Sequence, residues 1–388
     1  MENKSIEYKY CCGCGLCSHF VNGNINEQGY YRPSEKSFLT NFDTSICYCN
    51  QVGVKTKNGM WGLLEGIYYG YAIDSQIRKK ASSGGILTAI ACYLLDERIV
   101  DQVVQIATSK HDQMKTEVVW NSTSQDVKQC CGSRYTASAS LEGLLDNIDT
   151  RRKYAVIGKP CDIRVLRAYL EKSKELNSTI LYLLTFFCGG TPSTQANDKL
   201  LKRMGLKRNT LQSFIYRGNG WPGKTSGVDI EGNIATVEYE ESWGKVLGRD
   251  IQDICRFCWE GVGEAADISC GDGWYLEDNQ PSFEEREGRN VIFARTNKGN
   301  KLLMDMQSAH IVQLENITDT KIIEKIQPGQ LMRKGSMFSR ILAMKLMGKK
   351  IPRYSIIKLL PYARSLSFKL NIRMFAGTVK RILKGKIQ

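Results

Sequence analysis

Lys153-Tyr154-Ala155-Val156-Ile157-Gly158-Lys159-Pro160-Cys161-Asp162 decides the fold. Residues 153–157 form the short apolar run expected of a strand buried on both faces. The run ends at Gly158-Lys159-Pro160-Cys161. Asp162 can then cap a helix to residue 170, with Arg164 and Arg167 one turn apart on one face. The same order recurs immediately: an apolar strand over 180–187, the turn Cys188-Gly189-Gly190-Thr191-Pro192-Ser193, and a helix to about residue 204. Strand, turn and helix, twice in succession, predict a mixed α/β fold with a central sheet and flanking helices. Cys161 and Cys188 both fall just past the carboxyl end of a strand, where open α/β sheets bind ligands.

Towards the N-terminus, 66–72 reads as a strand. Ala81-Ser82-Ser83-Gly84-Gly85 then opens an apolar helix over 86–95. Free amides and the helix dipole at such a turn suit an anion, so the motif can cradle cofactor phosphates or serve as an ordinary cap. It is not a Walker A loop, since no Gly-Lys-Ser/Thr follows. Cys92, inside that helix, reads as core. Strands are expected over 100–106 and 116–120, and a helix over 141–148. Between them, Cys130 and Cys131 read as packing, and Gly132-Ser133-Arg134-Tyr135 as a turn able to touch a ligand.

The first sixty residues are richest in sulfur. Cys11-Cys12-Gly13-Cys14-Gly15-Leu16-Cys17 holds C-x-x-C-x-x-C through Cys11, Cys14 and Cys17. Soft thiolates on a glycine-permitted loop suit an iron–sulfur cluster, with a zinc knuckle as the bland alternative. The ferredoxin run would continue with a fourth cysteine and a proline; here Val21 stands in the cysteine's place. The fourth ligand must come from Cys47 or Cys49, with His19 a weaker candidate. A module this small is expected to depend on its metal for order.

Beyond 204, Tyr216-Arg217-Gly218-Asn219-Gly220-Trp221-Pro222-Gly223-Lys224 suits either a planar anion or a turn with a packed tryptophan. Residues 228–239 have strand character. Cys255-Arg256-Phe257-Cys258 is a second C-x-x-C. Asp267-Ile268-Ser269-Cys270-Gly271-Asp272-Gly273-Trp274 is a strand running into a turn, and 291–295 a further strand. Residues 297–300 read as a turn before a helix over 301–308. With Cys161 and Cys188, the second C-x-x-C supplies four thiols, the number a cubane needs.

The 388 residues are 42% apolar, with a net charge of +14. No apolar run is long enough to span a bilayer, and the first residues carry no signal-peptide core, so a cytoplasmic protein is expected. In that reducing compartment the 14 cysteines read as metal ligands rather than disulfides. From 331 to 388 there are 15 Lys and Arg residues and no Asp or Glu; the first 330 residues carry 39 basic and 40 acidic groups. A uniformly basic nucleic-acid-binding domain is therefore disfavoured. The tail reads either as a basic amphipathic docking segment or as helices packed on their own domain. Docking would place the chain peripherally at the inner face of the membrane or on a partner. The expected division is a cysteine-rich module at 1–60, two parts of one domain at 61–150 and 151–330, and a basic tail at 331–388 whose removal leaves the cofactors in place.

Six motifs in order resemble the beta-subunit family of coenzyme F420 hydrogenase/dehydrogenase. They are Ser82-Ser83-Gly84-Gly85, Gly132-Ser133-Arg134-Tyr135, Gly158-Lys159-Pro160-Cys161, Cys188-Gly189-Gly190-Thr191-Pro192-Ser193, Cys255-x-x-Cys258 and Asp267-Ile268-Ser269-Cys270-Gly271-Asp272-Gly273-Trp274. The resemblance covers roughly 8–310. It implies an oxidoreductase with FAD and one or two 4Fe-4S clusters. Electrons would move between a reduced carrier (deazaflavin, ferredoxin or nicotinamide) and an acceptor or partner protein. Similar bacterial chains sit among genes for surface-polysaccharide synthesis, which implies a glycan-biosynthesis partner for residues 331–388. FAD is expected at Ser82, Ser83, Gly84, Gly85, Ser133, Arg134, Tyr135, Gly158 and Lys159. One cluster is expected on Cys161, Cys188, Cys255 and Cys258, and another on Cys11, Cys14 and Cys17 with Cys47 or Cys49. Where the family has Gly-Thr-Pro-Cys, Cys-His-Gly and Gly-Asp-Phe-Trp, this chain has Lys159, Gly189 and Gly273. The competing reading is a zinc-stabilised binding protein that uses its tail on membrane or nucleic acid.

Overall fold

The computed structural model describes residues 6–34, 42–51 and 59–385. The remaining parts of the 1–60 module and the last three residues of the tail lie outside the described residues.

A mixed sheet of eight strands runs through the centre. In chain order they are β1 (Gly66–Ala72), β2 (Gln102–Thr108), β3 (Thr116–Asn121), β4 (Tyr154–Gly158), β5 (Ile180–Phe186), β6 (Ile268–Asp272), β7 (Asn290–Ala294) and β8 (Val312–Asn316). Across the sheet the order is β8-β1-β7-β6-β5-β4-β2-β3. The middle four, β6-β5-β4-β2, are parallel; the strands outside them pair antiparallel.

Side-chain alternation sends each strand's apolar residues into two different cores. Val103, Ala155, Leu184 and Ile268 face one side, beneath α1 (Ile86–Asp96) and α4 (Asn297–Ser308). Val104, Tyr154, Val156 and Leu183 face the other. There they meet α2 (Pro160–Leu170), the N-terminal cysteine segments and the C-terminal helices in one continuous core. Those helices are α6 (Met337–Leu346), α7 (Ile356–Ala363) and α8 (Phe368–Leu383); before them α5 (Pro328–Gly335) packs its Leu331 on a separate cluster with Trp61, Ile67 and Phe293. Beside the sheet, α3 (Thr194–Met204) packs against the three-stranded antiparallel sheet Leu211–Ile215, Thr225–Asp229 and Ile234–Val237.

Several element boundaries differ from expectation. α2 begins at Pro160, not Asp162, because proline's fixed backbone angle suits a first turn. Asp162 sits one turn in and accepts the backbone N–H of Lys159 at 3.2 Å. The helix expected over 141–148 shrinks to Leu144–Asn147. Leu141 instead donates its N–H to the Cys14 carbonyl at 2.9 Å, and Gly143 adopts a left-handed conformation. α4 starts at Asn297 because Thr296 caps it, its hydroxyl taking the N–H of Gly299 at 3.2 Å.

The tail packs on its own domain. Met337, Ile341 and Met344 of α6, and Leu359 and Tyr362 of α7, are buried in the sheet's core. Arg333 donates to the Cys255 carbonyl at 2.8 Å and also to the Gly189 carbonyl. Gln330 donates to the Cys188 carbonyl at 3.1 Å, and the Arg353 amide to that of Cys49 at 2.8 Å. Its removal therefore strips partners from the cysteine loops.

Candidate functional site

The turn from Cys11 to Cys17 closes because Gly13 and Gly15 take left-handed backbone angles. A Cβ on Gly15 would also stand 2.9 Å from Ala139 Cβ and from the Glu142 amide nitrogen. The turn is held by Leu141 on the Cys14 carbonyl and by Gln252 on the Cys12 carbonyl at 3.1 Å. Cys11, Cys12, Cys14 and Cys17 then line one cavity with Cys47 and Cys49, walled by Tyr31, Phe42 and Val165. Burial pushes the Cys17 thiol up to about 12, and drives Cys47 well above its ordinary value, with neighbouring sulfurs adding to both shifts. His19 is not part of this lining; its Nδ1 pairs with Asp146 at 2.5 Å.

A second sulfur group lies past the end of β5. Cys188 Sγ accepts the Gly190 amide at 3.4 Å, Cys255 Sγ the Thr191 amide at 3.4 Å, and Cys258 Sγ the Tyr48 hydroxyl at 3.3 Å. Burial raises Cys188 to about 11 and Cys258 to about 12, and Cys255 acts on both. Cys161 has a different close neighbour: its sulfur, that of Cys12 and an Asp162 oxygen all lie within 4.8 Å of one another. Cys12 is the residue that sequence spacing passes over, since it falls between the C-x-x-C positions; its only signal is its adjacency to Cys11.

Between the two groups sits a buried cation. Lys159 Nζ donates to the Ser138 carbonyl at 2.7 Å and pairs with Asp162 at 2.8 Å. Burial alone would lower its pKa, but Asp162 and Cys161 outweigh it and raise it. Its charge favours the thiolate of both Cys161 and Cys188. Arg32 acts likewise on Cys11, and Arg333 on Cys188 and Cys258. Crowded, desolvated sulfurs beside fixed cations fit an anionic metal–sulfide group, which would satisfy donors that otherwise repel one another.

A separate cavity of about 400 Å³ opens beyond the end of the helix Ser75–Lys80. Gln76, Lys79, Lys80, Thr108, Gln129, Ser133, Arg134, Arg217 and Asn219 are among its polar lining. Ser133 and Arg134 are thus where a ligand could reach them. Arg134 is braced by Thr108 at 3.1 Å and by the Cys130 carbonyl at 2.7 Å. Ser82 holds the wall, accepting from the Ser133 amide at 2.7 Å and donating to the Arg217 carbonyl at 2.9 Å. Ser83 donates to the Arg289 carbonyl at 2.8 Å. Gly84 and Gly85 pack tightly: a Cβ would come 2.6 Å from the Gly70 oxygen and 2.9 Å from Ile77 respectively. The first amide of α1, at Ile86, already meets the Asn290 side chain at 3.3 Å. Tyr135 packs edge-on to Tyr216 and at a tilt to Trp243, and Gly158 packs against Asp162. Lys79 and Lys80 are additions, foreshadowed only by the basic run before Ser82.

The loop at 216–224 takes its structural reading. Arg217 forms a two-pronged pair with Asp272 at 2.9 and 2.8 Å. Trp221 is buried, stacked on Trp274 at 4.7 Å, and donates its indole N–H to Asp272 at 3.0 Å. Lys224 pairs with Glu238 at 2.7 Å. Two strands flank the loop in antiparallel register, and its Tyr216, Arg217 and Asn219 also line the cavity that Ser133 and Arg134 border.

Known proteins resemble this chain in sequence and fold. The F420 hydrogenase subunit beta of Methanococcus voltae is 24% identical over 290 residues, 72% of this chain and 95% of that one. The F420-dependent formate dehydrogenase 1 subunit beta of Methanococcus maripaludis is 26% identical over 269 residues, 68% and 66% of the two chains. The chloroplastic 7-hydroxymethyl chlorophyll a reductase of Oryza sativa is 23% identical over 297 residues, 76% and 60%. A chain of the F420-reducing nickel–iron hydrogenase complex from Methanosarcina barkeri shares the fold, with a TM-score of 0.56 at 20% identity over 76% of this chain and 97% of that one. These relatives are oxidoreductases or their subunits. Residues 67–145 match the N-terminal region that defines the coenzyme F420 hydrogenase/dehydrogenase beta subunits, and 151–320 match the C-terminal region that defines them. The chain belongs to the coenzyme F420 hydrogenase/dehydrogenase beta-subunit family.

Proposed function

We propose that the chain is a flavin- and iron–sulfur-dependent oxidoreductase passing electrons between a reduced carrier and a protein partner. The observation that carries this reading is the pair of buried sulfur groups on one face of the sheet, with Lys159 acting on both. Cys11, Cys14 and Cys17, with Cys47 or Cys49, would hold one 4Fe-4S cluster. Cys188, Cys255 and Cys258 would hold a second; Cys161, beside Cys12, stands on the side of the first group and would become the second's fourth ligand by turning towards Cys188. The cavity between the Ser75–Lys80 helix and Ser133-Arg134 would take the phosphate-bearing end of FAD. Lys79, Lys80 and Arg134 supply charge there, while Ser82 fixes the Ser133 turn. A flavin held there would supply hydride-to-single-electron chemistry, and the cysteine groups would hold the clusters that take up the electrons.

The protein's own work is then to bind, orient and exclude water. Tyr31, Phe42 and Val165 keep the first sulfur cavity apolar. Arg32, Lys159 and Arg333 offset the negative charge of the thiolates. The assembled relatives support a protein electron-transfer partner, and the reduced carrier is a deazaflavin, a ferredoxin or a nicotinamide.

Anaerobic purification followed by iron, sulfide, zinc and flavin assays tests this. About eight irons with matching sulfide, and about one FAD released on denaturation, are expected for two clusters and one flavin. Zinc without flavin would overturn the reading in favour of a structural metal.

A further inference from the structure

The inner sides of α6 and α7 are accounted for by the core, but the outer sides of α7 and α8 are not. Along α8, Phe368, Ile372, Phe375, Val379 and Leu383 recur every three to four residues, so they share one side of the helix. Phe368 is 81% exposed, Ile372 52% and Leu383 73%. Phe375 and Val379, between them, are half-buried. On α7, Ile357 is 82% exposed and Leu360 37%. Both helices pack on α6, leaving these residues on the side they do not use for folding.

Cations border the apolar stripe. Lys369, Arg373, Lys380 and Lys384 also recur at helical spacing, and all are exposed. Lys358 and Arg364 flank the exposed residues of α7. No Asp or Glu occurs anywhere in 331–388, whereas the preceding 330 residues are close to neutral. A merely solvated helix would carry charge where Phe368, Ile372 and Leu383 stand. No helix among the described residues is long and apolar enough to cross a membrane.

We propose that α7 and α8 form a docking surface for a lipid leaflet rich in anionic headgroups. Phe368, Ile372 and Leu383 enter the acyl boundary, and Lys369, Arg373, Lys380 and Lys384 meet the headgroup phosphates. An acidic protein would also attract this charge. Protein interfaces, however, are depleted in lysine at their centres, whereas an interfacial helix carries lysine freely on its polar flank. Three of the four cations beside the α8 stripe are lysines.

The test is co-sedimentation of the full-length protein with vesicles of phosphatidylcholine, alone or mixed equally with phosphatidylglycerol. Binding to the mixed vesicles is expected to be at least about tenfold tighter and to weaken as salt rises. The double variant Phe368→Ser/Ile372→Ser is expected to lose about tenfold in binding. Lys369→Gln/Arg373→Gln/Lys380→Gln/Lys384→Gln should abolish the preference for phosphatidylglycerol. All six positions lie outside the sulfur groups, so iron content and circular dichroism confirm that the variants are folded. Failure of the wild-type protein to bind the mixed vesicles overturns the proposal, as does unchanged binding by Phe368→Ser/Ile372→Ser. Retention on immobilised polyglutamate without vesicle binding also overturns it and assigns the surface to an acidic protein.

Discussion

At the scale of single residues, Lys159 is the position where the chain's departure from its family has most physical content. Its ammonium is buried against an equally buried Asp162, and both reach the sulfurs. Removing one partner of a buried pair leaves the other uncompensated, at a cost of about 3–5 kcal/mol. Lys159→Met is therefore expected to lower stability by that amount in urea denaturation, and Lys159→Met/Asp162→Leu to recover part of it. A loss below about 1 kcal/mol would show that the two charges are screened by water. The cysteines give a second expectation. Cys14→Ser and Cys258→Ser should each remove about half of the bound iron, and together nearly all of it, since each lies in a different sulfur group. A single variant that empties the protein would show one shared site. Residue identities are readable from the sequence wherever chemistry restricts the choice: soft ligands at short spacing point to both groups. The pairing of Cys161 with Cys12 is not readable, because contact between a strand-end turn and a loop some 150 residues earlier leaves no local pattern.

At the scale of elements, the strand–turn–helix grammar after residue 150 is legible because short continuous apolar runs end at glycine and proline turns before longer segments of helical period. The helix near 144 is shorter than its sequence suggests because Leu141 is claimed by the Cys14 carbonyl, a tertiary contact that outweighs propensity. The C-terminal helices read as separable because their charge is so unlike the rest. Charge marks the outer side of a helix, and says nothing about what the inner side touches. Here the inner sides reach the cysteine loops: Arg333 spans the Cys255 and Gly189 carbonyls, and Arg340 donates to the Arg256 carbonyl at 3.1 Å. A hydrogen bond from a charged donor contributes about 1.5–3 kcal/mol when its acceptor cannot turn to water. Truncation after Gln327 is accordingly expected to cost the iron of the Cys188–Cys255–Cys258 group, and Arg333→Ala to lower it. Iron per folded chain after gel filtration measures both. Full iron retention in the truncated protein would show that α5 to α8 merely cover the site.

At the scale of the whole molecule, the two faces of the sheet differ in what holds them together. Under α1 and α4 the core is largely aliphatic: Ile86, Ile90, Leu94, Leu302, Leu303 and Met306 pack on strand side chains that are themselves fully buried. On the other face the core is continuous with the sulfur groups and includes Cys12, Cys14, Cys17, Cys49 and Cys255 alongside α2, α6 and α7. Metal binding free energy is folding free energy wherever the ligands are themselves packing residues. Removing iron should therefore not unfold the protein uniformly. Hydrogen exchange on iron-stripped protein is expected to show lost protection at 10–34, 186–193, 251–263 and 328–366. Protection should persist in α1, α4 and the strands between them, whose opening is tied to the aliphatic core. The loaded protein should also unfold at a higher temperature, since whatever binds only the native state stabilises it. If protection fell equally on both faces, the sheet would be one cooperative unit, and the sulfur groups would support the whole fold rather than half of it. If neither face changed, the cysteine loops would be preformed by their hydrogen bonds to Leu141, Gln252, Gln330 and Arg333 alone, and the metal would contribute chemistry without structure.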